Sequence, residues 1–339
     1  MFIENFKAFP VLKFNCNADF NFIVGENNIG KSTILESIQL WKVAYDELIQ
    51  KNNKNFYGDR TPCYISFESL YFLRITKDSD LFNASWKKKC SITITFEHED
   101  ILYPLKITLE KTKIPDSYFR IKYDFNSFNL FKNKVIELGL NLRNAIVIYQ
   151  TRPIFYTSKR EPFFNNAQLF KKILLGKSHE VIRNKILKTE VAETKHKQLE
   201  DRINKVFNTK FTIRTNNRRK QEDEFVKVWV KENNGKEVEI SMMGSGILQV
   251  LEIFATIEFI TSTPHCVTVL LIDEPDSHIH SNLQSKLIDE IKSDTNYQSF
   301  LVSHNDRLTD KADDGELFYI NSKCIENGEI KSLPKDSYS

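Results

Sequence analysis

No apolar run in this 339-residue chain approaches the roughly 20 residues that a bilayer span needs. The nearest candidate, residues 246–260, is interrupted by Gln249, Glu252 and Glu258, so a membrane is not among the expected partners. The N-terminus reads Met1-Phe2-Ile3-Glu4 and lacks the basic-then-apolar layout of a signal peptide, which makes a cytoplasmic location the expectation. The five cysteines (Cys16, Cys63, Cys90, Cys266 and Cys324) are scattered, odd in number and without a C-x-x-C pair. That spacing argues against a disulfide framework and predicts buried thiols. Seven histidines show no metal spacing: His278 and His280 are two apart with no cysteine nearby, so no zinc site is expected. There is no internal repeat and no low-complexity linker.

What the chain does have is Gly25-Glu26-Asn27-Asn28-Ile29-Gly30-Lys31-Ser32, followed by Thr33. This is G-x-x-x-x-G-K-S, a phosphate-binding loop. The run Phe22-Ile23-Val24 before it reads as a buried strand, and Ile34, Leu35, Ile38 and Leu40 after it recur at helical spacing. Gly25 and Gly30 let successive backbone N–H groups point inward, where the helix terminus adds a positive end for phosphate oxygens. Lys31 is expected to reach the β- and γ-phosphates, and the Ser32 hydroxyl to hold Mg²⁺.

With 41% hydrophobic residues the chain can bury a substantial core, as one large domain or two modest ones. Three short strands are predicted at 2–9, 11–14 and 20–24, with Pro10 as a break, then a helix from Lys31 to about Gln50. β-branched and aromatic runs at 91–96, 105–109 and 118–123 predict an antiparallel meander, and Ala145 to Tyr149 reads as a buried strand ending at Gln150. From Asn165 to Asn208 the pattern is helical and basic, with apolar sets too uneven for a long coiled coil. Asn233-Asn234-Gly235 predicts a hairpin between 226–230 and 238–240; an apolar helix is expected over 247–260 and strands over 267–272, 300–302 and 317–320.

Leu270-Leu271-Ile272-Asp273-Glu274-Pro275 is an apolar strand ending in two carboxylates, at the sheet edge where a phosphate loop also holds its nucleotide. Asp273 is expected to hold Mg²⁺, directly or through water, and Glu274 to orient and deprotonate an attacking water. Ser241-Met242-Met243-Gly244-Ser245-Gly246 opens the helix before that strand with small residues, a second anion-binding terminus. Phe300-Leu301-Val302-Ser303-His304 ends the next strand in a histidine.

In that order these pieces resemble the ABC-type ATPase heads of the SMC, RecF and OLD-like group, and the wording Asp273-Glu274-Pro275-Asp276-Ser277-His278-Ile279-His280 is most similar to the OLD-type and abortive-infection AAA ATPases. The resemblance implies an α/β fold: a P-loop NTPase head with a mainly parallel core sheet, an antiparallel β subdomain and a small helical lobe. It implies one ABC-type domain over 1–339, built from an N-terminal lobe (1–150), a basic helical insertion (151–222) and a C-terminal lobe (223–339). It assigns ATP binding to Gly25, Glu26, Asn27, Asn28, Ile29, Gly30, Lys31, Ser32 and Thr33, with Gln150 as Q-loop and Ser241, Gly244, Ser245 and Gly246 as signature turn. Ser32, Gln150 and Asp273 become Mg²⁺ contacts, Glu274 and His304 catalytic groups, and Lys7 a basic residue near the phosphates. Residues 51–144 and 152–235 match no family motif. The signature also departs from the common Leu-Ser-Gly-Gly-Gln form.

In that family the signature turn of one copy closes over the nucleotide of another, which implies a homodimer or higher homo-oligomer and Mg²⁺-dependent ATP hydrolysis coupled to closure. OLD proteins add a Toprim nuclease; this chain stops about 35 residues after His304, so a nuclease or toxin effector is expected on a separate polypeptide. A defence ATPase controlling such an effector is the first expectation, and a RecF-like DNA-repair ATPase the alternative. A transporter subunit and a non-hydrolysing module that uses ATP only as dimer glue stand behind them. Charge bears on the choice. Residues 152–220 hold 18 Lys and Arg against 6 Asp and Glu, whereas 221–339 hold 10 against 22. The basic middle either meets something acidic, with duplex DNA a candidate partner, or packs against the acidic part.

Overall fold

A phosphate loop needs a strand to deliver it and a helix to receive it, and both are present in a computed structural model that describes residues 1–58, 60–154, 157, 160–216, 224–261 and 267–334. The chain opens with β1 (Phe2–Phe6), β2 (Phe9–Phe14), β3 (Phe20–Gly25) and α1 (Lys31–Glu47). β4 (Cys63–Ser66), β5 (Lys89–His98), β6 (Ile101–Lys111), β7 (Tyr118–Tyr123), α2 (Phe125–Glu137), α3 (Leu142–Ala145) and β8 (Ile146–Thr151) follow. Then come α4 (Asn166–Leu174), α5 (Ile182–Thr189), α6 (Glu193–Phe207), β9 (Phe211–Thr215), β10 (Val228–Glu232), β11 (Val238–Glu239) and α7 (Ser245–Ile260). β12 (Val267–Asp273), α8 (Ser281–Lys292), β13 (Gln298–Val302), β14 (Leu317–Ile320), α9 (Ser322–Asn327), β15 (Glu329–Ile330) and β16 (Ser332–Leu333) complete the chain.

These elements form two compact units. The first comprises Met1–Ile148, His265–Val269 and Ala312–Ser339; the second comprises Tyr149–Pro264 and Leu270–Lys311.

In the first unit a seven-stranded sheet runs β15-β2-β1-β5-β6-β7-β4. The predicted meander is its centre, with β5, β6 and β7 antiparallel in sequence order. β3 pairs in parallel with β14, and β14 antiparallel with β16, which gives the mixed α/β character. The helix α1 is buried on nearly all sides, so even its polar residues need partners. Lys42 bonds Asp46 at 2.5 Å, and Ser37 donates to the Ile34 carbonyl at 2.7 Å. Burial pulls the Lys42 ammonium below its usual range against the attraction of Asp46. Leu40, Trp41 and Ala44 face Cys90, Ile92, Ile107 and Leu109 of the sheet, and the Trp41 indole donates to the Leu105 carbonyl at 2.9 Å. Trp41→Ala is expected to cost about 3–5 kcal/mol, read as a lower urea midpoint at unchanged slope.

One boundary differs from expectation. The first strand ends at Phe6, the chain turns at Lys7-Ala8, and Pro10 lies inside β2. Pro10 lacks an N–H, and the register skips it, pairing Glu4 with Val11 and Phe6 with Phe9. Opposite it, Asn5 adopts a left-handed φ of 54° and turns its amide to the Lys89 carbonyl at 2.7 Å.

In the second unit β13, β12 and β8 are neighbours in one sheet, and β11, β10 and β9 form a small antiparallel one. The segment expected to be helical supplies α4, α5 and α6, and α5 and α6 pack on α7. Several of its charges pack against the acidic part of the chain. Lys185 is fully buried and bonds Glu252 of α7 at 2.6 Å, with Ser178 and Thr256 also within reach. Arg202 of α6 reaches Glu258 at 2.8 Å and Asp294 at 2.5 Å, Lys195 reaches Glu258 at 3.2 Å, and Lys205 reaches Glu290 at 3.2 Å. Part of the positive charge of this segment therefore neutralises carboxylates of the acidic segment. The cluster Arg218-Arg219-Lys220, counted in that basic excess, lies outside the described residues. Cys63 and Cys90 are buried as expected, but Cys16 is exposed and Cys324 half-buried; Cys266 lies outside the described residues. No helix among the described residues is long and apolar enough to cross a membrane.

Candidate functional site

Within the first unit, β3 ends at Gly25 and α1 starts at Lys31, and the intervening residues 26–28 are exposed. Two glycines are required there. Gly25 has φ 145°, and a Cβ on it would stand 2.2 Å from the Ile320 carbonyl oxygen of β14. Gly30 has φ 108° as N-cap of α1, and its Cβ would stand 2.9 Å from the Phe9 ring. Asn28 takes φ 62°, a conformation asparagine tolerates. The Lys31 ammonium folds back over the loop, donating to the Gly25 carbonyl at 2.6 Å and the Glu26 carbonyl at 2.7 Å. Ser32 is half-buried and Thr33 buried in the first turn, which carries no acidic side chain to repel an anion. Lys7 is committed elsewhere, to Glu36 of α1 at 2.5 Å.

Within the second unit, β12 ends at Asp273, 3% exposed, and the chain reverses at Glu274. Glu274 has a left-handed φ of 49°, held because its N–H donates to the Val302 carbonyl of β13 at 2.8 Å. Such a conformation costs a glutamate on the order of 1–3 kcal/mol and aims the side chain away from the strand direction. Its Oε1 meets His304 Nε2 at 2.9 Å, and its Oε2 accepts from Ser277 Oγ at 3.3 Å. Both Glu274 and His304 remain partly open to solvent, so the pair is available to a substrate.

A hydrogen-bonded network flanks this pair. Ser303 Oγ donates to Asp276 at 2.9 Å and accepts from the Asn305 N–H; Asn305 Nδ2 donates to Gln284, whose amide donates to the Asp276 and Ile279 carbonyls. Burial, with the Glu274 charge adding to it, raises the Asp276 carboxyl above its ordinary range. Asp276 and Ser303 fall within the stretches 273–280 and 300–304 that the sequence singles out, whereas Gln284 and Asn305 carry no signal there.

Gln150 is buried within β8, not at a surface, and its Oε1 accepts from Arg152 at 3.3 Å. The helix α7 begins at Ser245, two residues before the apolar pattern starts, with Gly244 as N-cap. Gly246 packs so closely on the loop after Glu274 that a Cβ would stand 2.9 Å from the His278 carbonyl oxygen. The Ser241 hydroxyl donates to Glu239, a bond inside its own chain. The first unit thus holds residues 25–33 together, and the second holds Gln150, the 241–246 turn, Asp273, Glu274 and His304.

Residues 20–310 match the family described as "AAA domain, putative AbiEii toxin, Type IV TA system". The chain belongs to this AAA family. Its fold is that of the ABC-type ATPase heads of the SMC and RecF group. An Smc head bound to the C-winged helix domain of ScpA is 15% identical, with TM-score 0.60 over 98% of this chain and 96% of that one. The Smc head domain with an extended coiled coil, bound to the C-terminal domain of ScpA derived from Pyrococcus furiosus, is 13% identical, with TM-score 0.56 over 98% and 94%. The recombination mediator RecF with bound nucleotide analogue is 14% identical, with TM-score 0.52 over 98% and 96%. No curated protein matches the chain in sequence.

Proposed function

We propose that this AAA-family member is a Mg²⁺-dependent ATP hydrolase whose ATP-driven pairing of heads controls a separately encoded effector. The observation that carries the chemistry is the phosphate loop, whose two obligatory glycines and inward-folded Lys31 form a cradle shaped by backbone. On this reading Lys31 exchanges its carbonyl partners for β- and γ-phosphate oxygens, and the α1 terminus adds its N–H groups. Ser32 and Asp273, with Gln150, are the groups that would hold Mg²⁺. Mg²⁺ of this kind binds through one or two protein ligands plus phosphate oxygens. Bound there, the ion would neutralise charge on the phosphates.

On this reading Glu274 accepts the proton of the attacking water, and His304, in hydrogen-bond contact with it, orients that carboxylate. The 244–246 turn serves the nucleotide of a second copy. The family description names a putative toxin of a type IV toxin–antitoxin system, which supports a role in toxin control or antiphage defence. A DNA-repair role draws less support, because Arg202, Lys185 and Lys195 are paired with carboxylates of the same chain. Phosphate release by the purified protein with ATP and Mg²⁺ is the test, run beside ATP-binding calorimetry. Binding without turnover would leave a structural module that uses ATP as glue. An adjacent toxin or nuclease reading frame would favour defence over repair.

A further inference from the structure

The 241–246 turn is tied to the helical lobe by buried charge. Arg183, at the start of α5, is 1% exposed, and its Nε donates to Glu239 Oε1 at 2.9 Å. The other Glu239 oxygen accepts from the Ser241 N–H at 2.8 Å and from the Ser241 hydroxyl, capping the short turn that leads to Gly244 and α7. Arg183 is itself held from behind. Its Nη2 reaches Thr157 at 3.3 Å, its Nη1 lies 3.8 Å from Glu161, and Glu161 also accepts from the backbone N–H groups of Arg183 and Asn184. Burial alone would push the Glu239 carboxyl up, but the bonds from Arg183 and Ser241 outweigh it and hold it below the ordinary range. A planar guanidinium spreads its donors over a rigid fork that spans Glu161, Thr157 and Glu239, whereas an ammonium concentrates its three donors at one point.

We infer that Arg183, acting through Glu239, positions the 241–246 turn for the nucleotide it serves; the inference rests on the function proposed above. The relay touches no nucleotide, so Arg183 and Glu239 are positioning residues. The same guanidinium also joins Thr157 and Glu161 to the turn.

The test compares Glu239→Ala, Glu239→Gln and Arg183→Lys with the parent. Hydrogen exchange over residues 240–246 should quicken about tenfold in Glu239→Ala, while residues 25–33 exchange as before. Turnover should fall about tenfold with KM for ATP within about twofold, and Glu239→Gln, which keeps an acceptor for Arg183, should recover most of it. Should Glu239→Ala fail to fold, Arg183→Lys, which keeps the charge and loses the fork, carries the same expectation. Unchanged exchange over 240–246 would overturn the positioning role. Faster exchange with parental turnover would show that the turn is ordered by the relay but takes no part in the reaction, which also overturns it. A parent that binds ATP without turnover or pairing would instead sink the proposed function, and this inference with it.

Discussion

Replacing Lys31 with alanine is expected to lower ATP affinity about a hundredfold or more, since charge-assisted bonds to two phosphates are lost at roughly 1.5–3 kcal/mol each. The fold should persist. In the free protein the ammonium bonds the Gly25 and Glu26 carbonyls of a largely exposed loop, where water can replace it at a cost of about 1 kcal/mol. Titration calorimetry with ATP, beside a thermal melt of the variant, reads both effects. Near-parental affinity would mean that the nucleotide binds elsewhere.

The second large effect is expected from Glu274→Gln. The amide keeps the shape, the N–H bond to Val302 and a contact for His304, but it cannot take a proton from water. Turnover should fall about 10²–10⁴-fold while ATP stays bound. If ATP pairs the heads as proposed, light scattering with ATP and Mg²⁺ should then report a larger mass than without nucleotide. Retained turnover with an unchanged mass would remove Glu274 from its role and separate closure from chemistry.

Residues whose chemistry is local are legible in the amino-acid sequence. The phosphate loop, the strand that ends at Asp273 and the strand that ends two residues before His304 are each a short apolar run followed by punctuation, legible as such in the sequence. The meander β5-β6-β7 is legible for the same reason, by alternation within each run. What stays hidden depends on partners distant in sequence. Nothing local distinguishes Lys185, buried against Glu252, from Lys171, which is exposed. Nothing at Arg183 points 56 residues ahead to Glu239. Pro10 misleads because its effect depends on which strand face lacks a hydrogen bond, and that is set by Asn5 across the hairpin.

The Lys185–Glu252 pair bears on how this chain can change over time. Both side chains have no exposure, so losing either one alone would bury a bare charge at roughly 3–5 kcal/mol, a large part of a domain's stability. Losing both together strands nothing, because Ser178 Oγ and Thr256 Oγ1 already lie 3.3 Å apart and Thr256 also donates to the Glu252 backbone carbonyl. The two positions are thus coupled in substitution history: relatives should carry either both charges or two apolar residues of matching volume, and a lineage crossing from one solution to the other must pass through a poorly folding intermediate or change both sites at once.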